Sequence, residues 1–306
     1  MKTKPPVTRE MAAEVFKRHF GRKPRQIKAI QGGLNNFVFE TRLGGDDLII
    51  RISPQPDHLQ KFMKEQWAVN AARRKQVPTP EILEVCNDII ELPYMILRKV
   101  QGRPATNVGR KRAAVIEELG HYTAVINSIK THDYGHIFDW SPNRLSRNHT
   151  WQEYLEKELR LDERVGNLRQ VLEPAVLKRL LAEIKLIRKW TMPSALAHGD
   201  IRLKNVILDE NHRIRTLLDW ENCTSNIAPH WDLSIALHDL TMDEKEIFLR
   251  GYGLDLKEFI NMASSIKTLN ILNYAPSVCH ALEQKDKTRL ESLRGRLNGA
   301  FDLYSI

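Results

Sequence analysis

The stretch that most constrains this chain is a pair of short apolar runs between residues 205 and 219. Val206-Ile207-Leu208 and Ile214-Arg215-Thr216-Leu217-Leu218 flank the turn-forming residues Asp209-Glu210-Asn211-His212. Short runs bracketing a polar turn predict an antiparallel hairpin in a region otherwise patterned for helix. In a hairpin the start of the first strand lies beside the end of the second. Asn205 and Asp219 are therefore expected to be neighbours despite 14 residues of separation. Asp200 stands just before the first strand, so three oxygen-bearing side chains converge on the open end. Carboxylate and amide oxygens suit a hard cation such as magnesium, which keeps positions free for phosphate oxygens. No His/Cys cluster competes for a softer metal.

The first hundred residues read as a small mixed unit. Met11, Ala12, Val15 and Phe16 recur at helical spacing. After the glycine pair Gly32-Gly33, two β-rich runs at 37–41 and 48–52 enclose the turn Gly44-Gly45-Asp46-Asp47. A helix is predicted over 59–75, bounded by Pro54, Pro56, Pro78 and Pro80. A strand at 94–97 runs into Gln101-Gly102-Arg103-Pro104, the best linker in the sequence. Beyond it the pattern turns helical: 113–129, then 151–164 behind a Thr150/Glu153 capping box, then a helix opened by Pro174. That last helix carries Val176, Leu177, Leu180, Leu181, Ile184 and Ile187 on one face, a core stripe.

Composition closes off other classes. No apolar run approaches the ~20 residues of a membrane helix, and the N-terminus lacks the apolar stretch of a signal peptide. Cys86, Cys223 and Cys279 are far apart with no CxxC pair, which argues against a zinc cluster or a disulfide framework. A soluble, cytoplasmic protein with no membrane partner is expected. The net charge of +9 on 306 residues raises the question of nucleic acid. Residues 1–100 hold 18 Lys and Arg against 11 Asp and Glu, whereas the remainder holds 29 against 27. The surplus thus belongs to the first third. No helix-turn-helix signal, RNP motif or aromatic-interleaved basic stripe accompanies it, which argues against a nucleic-acid partner.

The spacing around the hairpin is specific. His198-Gly199-Asp200-Ile201-Arg202-Leu203-Lys204-Asn205 fits H-x-D-x-x-x-x-N, the kinase catalytic-loop pattern, in which the Asp accepts the hydroxyl proton and the Asn holds magnesium. Leu218-Asp219-Trp220-Glu221 follows one hairpin later, and Ala228-Pro229-His230-Trp231-Asp232-Leu233-Ser234 comes next. With these segments the chain resembles the aminoglycoside phosphotransferase and choline-kinase-like family. The resemblance implies an α+β, bilobal protein-kinase-like fold. Its small β-rich N-terminal lobe would occupy residues 1–97, its hinge 98–104, and its larger, mainly helical C-terminal lobe 105–306. The implied activity is ATP-dependent phosphorylation of a small-molecule hydroxyl.

Carried across residue by residue, the resemblance makes Asp200 the catalytic base and Asn205 and Asp219 the magnesium ligands. Arg202 would neutralise the transferring phosphoryl group. Gly32, Gly33, Asn35 and Asn36 fall in the loop over the ATP phosphates. Arg51 takes the position of the phosphate-binding lysine, with Glu65 as its ion-pair partner. Arg98 and Val100 fall in the hinge whose backbone pairs with adenine. Two departures stand out: Arg202-Leu203-Lys204 replaces a frequent His-Pro-Gly, and Asn127 stands where many relatives carry a His.

Ordinary structural roles compete at several positions. His198 reads as a loop-holding residue, Lys204 as a solvated charge and Trp220 as packing. Glu221 is a candidate for magnesium or substrate contact. Asp232 divides evenly between a helix-terminal brace and a site residue, and the resemblance implies a brace of the catalytic loop. An aminoglycoside leads among acceptors but needs a locally acidic pocket; choline, ethanolamine, a sugar, an amino alcohol or a different antibiotic are alternatives. So is a protein that binds nucleotide without transferring phosphate.

Overall fold

In the computed structural model, residues 7–30, 36–136 and 148–301 are described. Helix α1 (Arg9–Phe20) begins where the Thr8 hydroxyl accepts a hydrogen bond from Met11 N, and it buries Ala12, Val15 and Phe16. Strands β1 (Ile27–Ile30), β2 (Phe37–Leu43) and β3 (Asp46–Ile52) follow, then helix α2 (Leu59–Arg74) and strands β4 (Ile82–Cys86) and β5 (Tyr94–Arg98). They form an antiparallel sheet in the order β1-β2-β3-β5-β4. Alternation along β2 and β3 turns Phe39, Leu48, Ile50 and Ile52 onto one face, where they join Val15 and Phe16 of α1. Arg51, between two of those core residues, projects from the opposite face.

A two-residue strand β6 (Arg103–Pro104) precedes helix α3 (Arg112–Asn127), the short α4 (Trp151–Glu153), α5 (Leu161–Leu168) and α6 (Pro174–Ile187). Strand β7 (Ser194–Ala197) leads to β8 (Val206–Leu208), β9 (Ile214–Leu217) and β10 (Thr224–Ile227). Helices α7 (His230–Ala236), α8 (Met242–Tyr252), α9 (Leu256–Glu283) and α10 (Lys287–Asn298) complete the described chain. Among the described residues, one compact unit gathers 7–30, 36–107 and 204–223, and a second gathers 108–136, 148–203 and 224–301. The β8–β9 hairpin, late in the sequence, thus belongs to the first unit. Its backbone explains why: β6 pairs with β8, and Leu217 N donates to Pro78 O at 2.9 Å.

The helix expected over 151–164 is broken. Thr150 and Glu153 do form the capping box, but a wide turn at Tyr154–Glu158 follows, and Arg160 takes a left-handed conformation (φ 53°) before α5. Leu155, Leu159 and Leu161 are all buried. A regular helix places residues two apart on nearly opposite sides, so Leu159 and Leu161 reach one core only because the helix breaks between them. In α9, Pro276 lacks the N–H that would bond Leu272 O, and Arg164 Nη1 supplies that bond at 2.9 Å. Helices α3 and α8 touch backbone to backbone: a Cβ on Gly120 would meet Phe248 O at 2.2 Å, and one on Gly251 would meet Glu117 O at 2.0 Å. Among the described residues no helix is long and apolar enough to cross a membrane.

Candidate active site

The hairpin brings Asn205 and Asp219 together, as its pattern predicts. Val206 pairs with Leu217, and Leu218 N donates to Asn205 O at 2.7 Å, so the residues at the open end are adjacent. Asp209 holds the closed end, its Oδ1 accepting from Asn211 N and Arg213 N at 2.8 Å each. Asp219 is left-handed (φ 64°), a conformation that short polar side chains tolerate, and Trp220 behind it is fully buried with Nε1 donating to Leu217 O. An amide and a carboxylate at adjacent strand ends fit magnesium, which takes few protein oxygens and leaves the rest to substrate phosphates. Among the described residues no group of three or more His, Cys, Asp or Glu could hold a metal ion by itself.

In the same unit, Arg51 leaves β3 into a buried ionic cluster. Its Nη1 donates to Glu65 Oε1 at 2.6 Å, and Nη2 lies 3.7 Å from Glu221 Oε2. The guanidinium also stands over the Phe62 ring, 5.3 Å from its centroid. Burial pulls the Arg51 pKa down, but Glu65, Glu221 and Asp219 outweigh it, and the net direction is upward. Glu221, a candidate for magnesium or substrate, thus has a partner in Arg51. Lys64 of α2 secures the segment that follows Asp219: its buried Nζ donates to Glu221 O at 2.9 Å and Cys223 O at 2.7 Å. These carbonyls close the short turn Trp220–Asn222, where a cation is favoured.

Of the other predicted nucleotide residues, Asn36 is described, and its buried Oδ1 has no hydrogen-bond partner. Gly32, Gly33 and Asn35 lie outside the described residues. Arg98 ends β5 with its side chain on Asp46 and on Glu81 Oε2 (2.8 Å). Lys99 N donates to Asp47 O, and Val100 follows half-buried.

In the helical unit, the loop carrying Asp200 leaves β7, which pairs with β10 across Ala197 and Thr224. Asp232, fully buried in the first turn of α7, grips this loop. Its Oδ2 accepts from His198 N at 2.9 Å and Asn127 Nδ2 at 2.8 Å, and its Oδ1 accepts from Gly199 N at 2.9 Å. Gly199 is left-handed (φ 80°), which turns the chain so that Asp200 N donates to His198 Nδ1. Tyr252 of α8 donates to Asn127 Oδ1 at 3.0 Å, and burial together with the Asp232 charge raises its phenol pKa. Asp232 therefore has the bonds of a brace, and His198 those of a loop-holding residue. Arg202 Nε lies 3.1 Å from Asp200 Oδ1 and 3.7 Å from Asp239 Oδ2. Lys64, Tyr252 and Asp239 carried no local signal in the sequence; each is recognised through a partner from 37 (Asp239–Arg202) to 159 (Lys64–Cys223) residues away.

The phosphotransferase enzyme family known as APH matches this chain over residues 26–263. The chain belongs to that family. Among curated relatives of this phosphotransferase-family chain, the hygromycin-B 4-O-kinase of Escherichia coli is 23% identical over 203 residues. The match covers 63% of this chain and 57% of the relative, less than two thirds of the relative's length. A solved structure of a thermostable mutant of aminoglycoside phosphotransferase APH(4)-Ia, in ternary complex with AMP-PNP and hygromycin B, superposes with a TM-score of 0.71 at 17% identity, covering 96% of this chain and 98% of that one. The macrolide 2'-phosphotransferase MphH from Brachybacterium faecium superposes with a TM-score of 0.60 at 18% identity, covering 94% and 97%. The fold is that of these kinase-like enzymes, with an antiparallel sheet lobe and a helical lobe.

Proposed function

We propose that this chain transfers the γ-phosphoryl group of ATP to a hydroxyl group of a small molecule. The observation that carries the reading is the hairpin end, where Asn205 and Asp219 adjoin in the unit that also holds the Arg51–Glu65 pair. Family membership supports it, as do a relative that is a hygromycin-B kinase and a neighbour in complex with AMP-PNP and hygromycin B. In this reading residues 1–97 form the nucleotide lobe, 98–104 the hinge and 105–306 the acceptor lobe, except that segment 204–223, which carries Asn205 and Asp219, belongs with the nucleotide lobe. A cytoplasmic location goes with an ATP donor.

Asp200 receives the acceptor's hydroxyl proton and aims its oxygen; Asp232 keeps the loop from drifting while it does so. Arg51 contacts the phosphates, and Glu65 holds its fork in place. Arg202, beside Asp200, offsets charge on the group in transit. Gly32, Gly33, Asn35 and Asn36 supply the phosphate loop, and the backbone at Arg98 and Val100 receives the adenine. Asn205 and Asp219 would hold magnesium, which when bound neutralises phosphate charge.

The test has two steps. Thermal stabilisation by ATP with magnesium is compared with that by an oligonucleotide; the former is expected to raise the melting temperature and the latter to leave it unchanged. ADP release is then screened over aminoglycosides, choline-like amines and sugars. Stabilisation by the oligonucleotide alone would defeat the reading.

A further inference from the structure

A row of charged side chains runs outward from Asp200. Arg202 Nε lies 3.1 Å from Asp200 and 3.7 Å from Asp239, and Arg296 Nη2 lies 3.1 Å from the other oxygen of Asp239. The outer pair is the more exposed: the side chains of Asp200 and Arg202 are 11% and 31% exposed, and those of Asp239 and Arg296 are 48% and 41% exposed. Beyond the base itself, one carboxylate therefore serves two guanidiniums. Neither guanidinium is saturated by it. The buried Arg202 Nε is near two carboxylates yet aligned for a hydrogen bond with neither. Arg296 makes one hydrogen bond to Asp239 and rests on the Tyr274 ring, 5.3 Å from its centroid. Tyr274 in turn meets His238 Nε2. Burial, then Arg296, lowers the His238 pKa to about 4, so this ring adds no charge at neutral pH.

This balance bears on what the base receives. Along this row a polycation approaching Asp200 would meet two arginines and an aspartate already shared between them. An oxyanion would meet two forks built for bidentate contact, held by an aspartate that it can replace. We infer that the acceptor is a small alcohol bearing a carboxylate or phosphate group, and that Arg296, with Arg202 behind it, selects for that group in place of Asp239. The inference rests on the phosphotransferase reading and narrows its acceptor.

The experiment follows ADP release from ATP and magnesium with matched six-carbon polyols. D-gluconate and D-glucitol 6-phosphate carry the two oxyanions, D-glucitol is neutral and 1-amino-1-deoxy-D-glucitol is cationic; hygromycin B is added as a larger cation outside the matched set. The oxyanion-bearing acceptors are expected to show kcat/KM about tenfold or more above the others. Arg296→Gln should raise their KM about tenfold while kcat stays within about twofold, and Arg296→Lys should recover part of the loss. Preference for a neutral or cationic acceptor, or an Arg296→Gln variant with unaltered KM, overturns the inference. So does an ATP-stabilised protein that ignores all of the acceptors. A wild-type protein that neither gains stability from ATP with magnesium nor releases ADP would instead overturn the phosphotransferase reading on which it stands.

Discussion

In the first unit the cation Arg51 is held by side chains, whereas in the helical unit the loop carrying Asp200 is held by a carboxylate that grips backbone. Glu65 is buried, Arg51 is half-buried, and their 2.6 Å contact is the shorter of the two ion pairs that Arg51 makes. Asp232 is also buried, but two of its three donors are the amides of His198 and Gly199. The difference matters for what mutation can undo. A side-chain pair can be removed as a pair, so that neither of its two charges is left facing a neutral partner. Backbone amides cannot be removed, so the loss of Asp232 strands them whatever else is changed. An ionic pair suits a group that must stay charged for a ligand; a backbone grip suits a loop whose path must not vary.

The sharpest way to break the comparison is Asp232→Ala. Two buried N–H donors and the half-buried Gly199 N–H lose their acceptor, and a loss of about 3–9 kcal/mol is expected, at about 1–3 kcal/mol for each stranded group. Urea unfolding at an unchanged m-value measures it. Next come Arg51→Met and Glu65→Leu, each expected to cost about 3–5 kcal/mol by leaving the partner charge buried and alone. The double variant should recover about 2 kcal/mol or more of that, while ATP no longer stabilises the protein. If the double variant is as unstable as the sum of its parts, the pair is not the unit described here. A smaller effect belongs to Lys64→Met, which leaves Glu221 O and Cys223 O without their donor and should cost about 1–3 kcal/mol. Smallest is Tyr252→Phe, where one bond to Asn127 disappears for about 0.5–1.5 kcal/mol. The ranking itself is a test: a Tyr252→Phe loss as large as that of Asp232→Ala would mean the brace is carried by α8 rather than by α7.

What the sequence made legible was whatever depends on near neighbours. The turn residues at 209–212 and the strand runs on either side were enough to place Asn205 beside Asp219. The family resemblance, not a local pattern, offered Glu65 of the following helix as the partner of Arg51, and the two side chains meet at 2.6 Å. The break at Arg160 was hidden because the Thr150/Glu153 cap is a true helix start, and only a core lying on both sides of Leu159 and Leu161 forces the chain to turn. The resemblance offered Asp232 as a brace of the loop carrying Asp200, but the network around it was hidden for a different reason. Asn127, Asp232 and Tyr252 come from three helices, and their meeting depends on the close approach of α3 and α8 at Gly120 and Gly251. No window of sequence contains that geometry.

The central claim is that Asp200 receives the acceptor's proton in a phosphoryl transfer from ATP. The most direct measurement compares ADP release, with ATP, magnesium and an accepted alcohol, between the wild-type protein and Asp200→Ala, with thermal unfolding of both run alongside. The account predicts a fall in kcat of about 100-fold or more, with ATP still stabilising a variant that melts as the wild type does. Turnover by Asp200→Ala at the wild-type rate would contradict it.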